Sequence, residues 1–137
     1  MKDLELFRTA KEVMENAYAP FSKFCVGAAL LGESGKVYTG VNVENSSFGA
    51  TICAERSAFV QAISKGERSF LKIAIATSDG KAWPCGICRQ FMREFCDEDF
   101  PVITGSHESD LVCYTLGQLL PEGFRLEEGG AQIRDKE

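Results

Sequence analysis

The sequence predicts one α/β domain, a three-layer α/β/α sandwich with a five-stranded mixed sheet. Its 137 residues suit a single domain spanning 1–137. Segments with strand character alternate with segments of helical spacing, in the order α-β-β-α-β-α-β-β-α. Because the helices are numerous and dispersed along the chain, we expect them to cover both faces of the sheet.

The first part of the chain predicts a helix followed by a β-hairpin. Apolar residues recur at helical spacing over 3–17, and Pro20 ends that helix. Residues 25–31 and 36–43 have strand character, and the Gly-Glu-Ser-Gly segment between them has the chemistry of a turn. We therefore expect these two strands to pair in antiparallel orientation.

The later elements have clear apolar patterns and end signals. They are helices over 53–65, about 85–96 and up to Leu120, and strands over 71–77, 101–104 and 111–114. Thr115 and Gln118 have the spacing of a capping box. We expect the strand–helix–strand–helix–strand middle to be parallel, and about 125–137 to form a flexible tail.

Composition and charge exclude several classes of protein. The chain has 15 basic and 20 acidic residues, a net charge of −5, which disfavours nucleic acid as a partner. No apolar run approaches the ~18 residues that would span a bilayer, so we expect no membrane partner. The charged N-terminus has no apolar stretch typical of a signal peptide, and we expect a cytoplasmic location.

The cysteines and the histidine constrain the chemistry. Six cysteines in an intracellular chain predict thiols that are buried or bound to a metal, not disulfides. Cys25, Cys96 and Cys113 fit small buried hydrophobic residues. His107, the one histidine, lies in a polar loop, so catalysis must proceed without histidine.

The strongest signal is Cys53-Ala54-Glu55 followed further along the chain by Pro84-Cys85-Gly86-Ile87-Cys88. Both motifs lie where a helix begins, and helix N-termini favour thiolates. Three thiolates around zinc leave one coordination position open, which is the catalytic pattern. A glutamate beside that position can carry protons to and from a bound water.

These motifs resemble those of the zinc-dependent nucleoside deaminases, whose signature is His/Cys-x-Glu followed by Pro-Cys-x-x-Cys. More narrowly, the chain resembles the short, homotetrameric cytidine deaminases over residues 4–124. The segments that carry this resemblance, besides the metal motifs, are Pro20–Phe24, Gly40–Asn45, Cys85–Gln90 and Leu119–Phe124.

The resemblance implies one zinc ion per chain, held by Cys53, Cys85 and Cys88. Glu55 would shuttle protons and Arg56 would hydrogen-bond the sulfurs. The implied reaction is hydrolytic deamination of cytidine and deoxycytidine in pyrimidine salvage. A zinc-activated water would attack C4, and ammonia would leave.

The resemblance also implies a set of substrate contacts and a likeness in assembly. Asn42 and Glu44 would hydrogen-bond the ribose hydroxyls, and the Ala54 backbone would meet the pyrimidine edge. Phe24 would pack on the nucleoside, and Phe124 would reach in from a neighbouring subunit of a homotetramer. Taken alone, Asn42 and Glu44 also fit turn positions, and the two phenylalanines fit core or tail positions.

Two positions depart from the family pattern, and other functions remain open on the residues alone. Phe48 stands where members often carry Tyr, and Trp83 where a small residue is usual, so both bear on base or sugar preference.

One alternative is a deaminase of another base or nucleoside analogue, such as a nucleoside antibiotic. A structural zinc-binding module and a thioredoxin-like oxidoreductase are further alternatives, since Cys85-x-x-Cys88 alone fits both.

Overall fold

A central five-stranded sheet with helices on both faces forms the fold. A computed structural model describes residues 1–126 and the backbone of residues 132–134. The helices and strands, in chain order, are α1 (Asp3–Val13), β1 (Val26–Gly32), β2 (Val37–Val41), α2 (Ala54–Ser64), β3 (Phe70–Thr77), α3 (Gly86–Arg93), β4 (Pro101–Thr104), β5 (Val112–Thr115), α4 (Leu116–Leu119), β6 (Phe124–Leu126) and β7 (Gln132–Arg134).

The strands lie in the order β2-β1-β3-β4-β5, which confirms the predicted mixed sheet. The β1–β2 hairpin is antiparallel as predicted, β3 pairs parallel with β4, and β5 pairs antiparallel with β4. The strands β2, β3 and β4 run in one direction, as the sequence predicted. However, β1 lies between β2 and β3 and is antiparallel to both, so β3–β4 is the one parallel pair of neighbours in this sheet.

Alternate residues of the strands build two separate cores, which confirms the three-layer sandwich. On one face, Ala29, Leu31 and Ala74 pack against α1. On the other face, Leu30 and Ile75 pack with the buried residues of α2, α3 and α4. This alternation is the period of two that a sheet buried on both faces requires.

The helix ends differ from the prediction by a few residues. The first helix ends at Val13 and continues as one 3-10 turn, Met14–Asn16, instead of remaining α-helical to residue 17. The predicted capping box is present: Gln118 N donates to Thr115 Oγ1 at 3.2 Å, and Thr115 N donates to Gln118 Oε1 at 2.8 Å.

The C-terminal segment contains a short strand pair. Phe124–Leu126 pairs antiparallel with Gln132–Arg134, and all of these residues except Phe124 lie in the region 125–137 predicted as a tail. The rest of that region, 127–131 and 135–137, lies outside the described residues. None of the helices in the described part of the chain has the length and apolar character that crossing a bilayer requires.

Candidate active site

Three cysteine sulfurs meet where α2 and α3 begin. The Sγ atoms of Cys53, Cys85 and Cys88 lie within 4.8 Å of one another, and Cys53 Sγ is 3.8 Å from Cys85 Sγ. Two sulfurs that each lie about 2.3 Å from a tetrahedral zinc ion would be about 3.8 Å apart, so the spacing fits zinc. Within the described residues, the group contains no fourth His, Cys, Asp or Glu. A three-ligand set leaves one coordination position for water or substrate.

The helix starts explain how the sulfurs come together. Cys53 is the N-cap of α2 and Cys85 is the N-cap of α3, and neither side chain caps its own helix. Cys88 is the third residue of α3 and is buried. Because the positive ends of both helix dipoles point at the cluster, they stabilise negative charge on sulfur.

The cluster and Arg56 have complementary charges. Hydrogen bonds from the Cys88 thiol and from Arg56 lower the pKa of Cys53 to about 5, whereas the bond to Cys53 raises the pKa of Cys88. Arg56 Nη2 lies 3.6 Å from Cys53 Sγ. Zn²⁺ with three thiolates would carry a net charge of −1, which an adjacent guanidinium offsets. The donor set therefore fits a zinc ion.

Glu55 is a buried carboxyl group beside the sulfurs. Only 5% of the residue is exposed, and its position in the first turn of α2 follows directly from the helix start at Cys53. Burial raises the pKa of Glu55 to about 7, because removal from water disfavours the charged form. A carboxyl group in this range can both accept and release a proton near neutral pH.

A cavity of about 210 Å³ is lined by Glu55 and by two of the three cysteines, Cys53 and Cys85. Most of the residues that the sequence predicted for substrate binding line this cavity, together with residues that it did not single out. The lining residues are Phe24, Val26, Asn42, Glu44, Thr51, Ile52, Cys53, Ala54, Glu55, Ile75, Thr77, Ala82, Trp83 and Cys85.

Asn42 lines the cavity and also hydrogen-bonds the backbone where the chain leads into β1. Its Nδ2 donates to the Phe24 carbonyl at 2.8 Å, and its Oδ1 accepts from Val26 N at 2.9 Å. Asn42 is 9% exposed, so both bonds are shielded from water. One N–H and one oxygen lone pair of the amide are left for another partner.

Like Asn42, Glu44 lines the cavity and hydrogen-bonds the neighbouring backbone. Its Oε1 accepts from Phe21 N at 2.9 Å and from Ser22 N at 3.1 Å, and its Oε2 accepts from the Ser22 hydroxyl. The bond from the Ser22 hydroxyl is the main cause that lowers the pKa of Glu44. These bonds stabilise the loop before Phe24, where Lys23 adopts a left-handed backbone conformation with φ of 63°.

The other predicted substrate contacts divide into two groups. Ala54 is fully buried and Phe24 is 36% exposed, and both line the cavity. Phe124 is 41% exposed and is not among the described residues that line it. The Phe124 carbonyl accepts from Gln90 Nε2 at 2.7 Å, which joins the C-terminal segment to α3.

Sequence reasoning gave no role to Arg89, which joins the metal motif to the end of α4. Its Nε donates to the Pro84 carbonyl and its Nη1 donates to the Leu119 carbonyl, each at 2.7 Å. The Pro84 carbonyl directly precedes Cys85, so this guanidinium fixes the segment that carries one of the sulfurs. The position of Arg89 directly after Cys88 is the one signal in the sequence that points to it.

The two departures from the family pattern lie in different environments. Trp83 lines the cavity and stacks on Tyr114, with ring centroids 4.6 Å apart and an interplanar angle of 22°. Phe48 is 79% exposed and packs edge-on against Phe21.

The remaining cysteines and the histidine lie outside the cavity lining. All six cysteines are free thiols, as predicted. Cys96 is buried as expected, Cys25 is half-buried, and the prediction for Cys113 is wrong because β5 leaves it exposed. His107 is exposed in the loop before β5.

Comparisons with known proteins agree with this site. Residues 1–104 match the family model described as the cytidine and deoxycytidylate deaminase zinc-binding region. A protein of Sporosarcina psychrophila named cytidine deaminase is 46% identical over 125 residues, which cover 90% of this chain and 92% of that protein. The crystal structure of cytidine deaminase from Burkholderia pseudomallei aligns with a TM-score of 0.85 and 42% identity, covering 90% of this chain and all of that one. The corresponding structure from Mycobacterium tuberculosis aligns with a TM-score of 0.78 and 36% identity, covering 89% and 96% of the two chains. The chain therefore belongs to the cytidine and deoxycytidylate deaminase family.

Proposed function

We propose that this protein is a hydrolase that converts cytidine and deoxycytidine, with water, into uridine and deoxyuridine and releases ammonia. The observation that carries the proposal is that the buried Glu55 lines the same cavity as Cys53 and Cys85. Glu55 is not one of the three residues that form the possible metal site. The relatives named cytidine deaminase support cytidine as the substrate.

The side chains divide the chemical work between them. Cys53, Cys85 and Cys88 would hold one zinc ion, which when bound lowers the pKa of water and so supplies a nucleophile at neutral pH. Glu55 would take a proton from the attacking water and deliver protons to N3 of the base and to the departing amino group at C4.

The substrate would be held by groups that still have hydrogen-bonding capacity. A carboxylate offers about four lone-pair positions, and three of those on Glu44 are already used. The fourth, on Oε2, would accept from one ribose hydroxyl, and the unused N–H of Asn42 would donate to another. The Ala54 backbone would meet the pyrimidine edge, and the Phe24 ring would cover the nucleoside.

The test combines zinc content with a cytidine-to-uridine absorbance assay on wild type and Glu55→Gln. The glutamine has nearly the same shape but cannot carry the proton, so we expect kcat to fall by about 100- to 10,000-fold with one zinc ion per chain retained. Glu33→Gln, at an exposed position in the β1–β2 turn, serves as a control with unchanged kcat. Near-normal turnover in zinc-loaded Glu55→Gln would remove Glu55 from the mechanism, and absence of cytidine turnover in wild type would refute the function.

We also propose a homotetramer in which Phe124 completes the cavity of a neighbouring subunit. The exposed ring of Phe124, away from its own chain's cavity, supports this arrangement. Light scattering measures the assembly, and co-assembly tests the shared site. Glu55→Gln subunits carry an intact Phe124, and Phe124→Ala subunits carry an intact Glu55. Glu55→Gln alone should lack turnover, and Phe124→Ala alone should have a raised KM. If Phe124 acts across the interface, mixed tetramers contain sites with both groups and regain turnover at a low KM; a mixture that behaves as the sum of its parents contradicts this.

The free thiols and the nucleoside substrate favour a place in pyrimidine salvage in the cytoplasm. Six cysteines without a disulfide suit a reducing compartment.

A further inference from the structure

We propose that Trp83 determines specificity by excluding nucleosides with bulky substituents at C5 of the pyrimidine, and that Tyr114 holds its ring in place. The inference rests on the proposed deamination of cytidine and adds a limit on the base. The cavity of about 210 Å³ is small for a ligand site, so one indole in its wall decides which bases fit.

The Trp83 ring has a fixed position in the wall. It stacks on Tyr114 at a centroid distance of 4.6 Å, and it packs against the core formed by α2, α3 and the sheet. Tyr114 belongs to β5, one of the two edge strands of the five-stranded sheet, and is 47% exposed. Tyr114 is therefore a support outside the cavity, whereas the indole is the surface that a base would meet.

The orientation of the base follows from the chemistry proposed for Glu55. The carbon that loses its amino group, C4, must lie beside the sulfurs, and its two ring neighbours are N3 and C5. Glu55, in the first turn of α2, delivers a proton to N3, so N3 faces α2. C5 then faces away from α2, toward the segment between β3 and α3 that carries Trp83 and Cys85. Other lining residues of that segment are smaller, so the indole is the group that a C5 substituent meets first.

The test measures kcat/KM for 5-ethylcytidine relative to cytidine, with 5-fluorocytidine as a substrate of nearly unchanged size. A hydrophobic wall discriminates by about 10- to 200-fold per methylene. We therefore expect Trp83→Ala to raise the 5-ethylcytidine ratio at least 10-fold and to leave the 5-fluorocytidine ratio within 2-fold of wild type. The Kd of 5-ethyluridine relative to that of uridine, measured by calorimetry without any turnover, should fall in Trp83→Ala, because the larger base then binds more tightly.

Two further variants keep the test decisive. Tyr114→Leu removes the supporting ring and leaves the indole, and it should give a ratio between wild type and Trp83→Ala. Trp83→Phe keeps a smaller ring in the wall, and it also should give an intermediate ratio. If Trp83→Ala fails to fold or loses zinc, these two variants decide, and wild-type ratios in both overturn the inference. If Trp83→Ala is active and its 5-ethylcytidine ratio is unchanged, the role of Trp83 is refuted but the proposed function is not. If wild type does not deaminate cytidine, the proposed function itself is refuted.

Discussion

Gly40 controls how closely α2 approaches the sheet, and Gly40→Ala should therefore damage the metal site from a distance. A Cβ added at Gly40 would lie 2.3 Å from the Ala58 backbone nitrogen and 2.5 Å from the Ala54 carbonyl oxygen. Ordinary contact begins at 3.4 Å, so β2 and α2 must separate by about 1 Å. The obstructing atoms are backbone atoms of a helix, and no side-chain rotation can relieve the clash.

The displacement carries the first residues of α2 with it. Overpacking of this kind costs about 1–3 kcal/mol of unfolding free energy. Zinc ligands must keep their distances within about 0.2 Å, and a misplacement near 1 Å in an active site costs about 100-fold in rate. We therefore expect weaker zinc retention and a kcat/KM for cytidine that is about 100-fold lower, since Cys53 and Glu55 move relative to Cys85.

A matched substitution on the other face of the sheet separates the two effects. A Cβ at Gly27 would lie 2.1 Å from the Ala10 carbonyl oxygen of α1, so Gly27→Ala should destabilise the fold equally without moving α2. Gly49→Ala is the neutral control, because its Cβ meets no atom within 4 Å. Urea unfolding gives stability, and release of zinc to a chelator gives metal retention. Gly40→Ala with wild-type zinc retention, or Gly27→Ala with equally weakened retention, would refute the reasoning.

Three further substitutions test separate parts of the structure. Arg89→Lys keeps the charge, but one ammonium cannot serve carbonyls in two segments, so zinc affinity in a chelator competition should fall about 10-fold; unchanged affinity would show that the metal motif holds itself. Thr115→Ala removes the oxygen that accepts from Gln118 N and should cost about 1 kcal/mol in urea unfolding, whereas no loss would mean that the cap is not formed in solution. The Ser34 hydroxyl lowers the pKa of Glu67, so the carboxylate contributes stability above its unfolded pKa of 4.5, and that stability is lost as pH falls through the folded pKa. Glu67→Gln should therefore lose less melting temperature than wild type between neutral and acid pH, and parallel profiles would contradict this.

Local patterns predicted the elements of the fold, but not which strands are neighbours. The apolar run 71–77 and the hairpin around Gly35 depend on residues that are close in sequence. The strand β3 and the β1–β2 hairpin both form where the sequence predicted them. The insertion of β1 between β2 and β3 depends on pairing between distant segments, such as Ala29 with Ala74. Periodicity predicts which face of a strand is buried, but it does not predict which strand hydrogen-bonds to its edge.

The metal group was the most predictable part of the site, because its chemistry demands particular residue types at particular spacings. The sequence led to Cys53, Cys85 and Cys88 through the need for three thiolates, and the structure brings their sulfurs together. It could not reveal the two carbonyls that Arg89 binds, since one of them belongs to Leu119, 30 positions away. Hydrogen bonds of this kind depend on the finished fold, and the position of Arg89 directly after Cys88 does not reveal their acceptors.

Asn42 and Glu44 combine two roles that a substitution cannot remove separately. Each lines the cavity, and each hydrogen-bonds the backbone around Phe24. Loss of the Glu44 carboxylate would leave the N–H groups of Phe21 and Ser22 without their acceptor, so the loop and the Phe24 ring would move together. A raised KM in such a variant would thus report a displaced cavity wall as much as a missing contact with the sugar. The same bonds already orient the carboxylate and the amide, so the proposed contacts with the sugar would require little further ordering of these side chains.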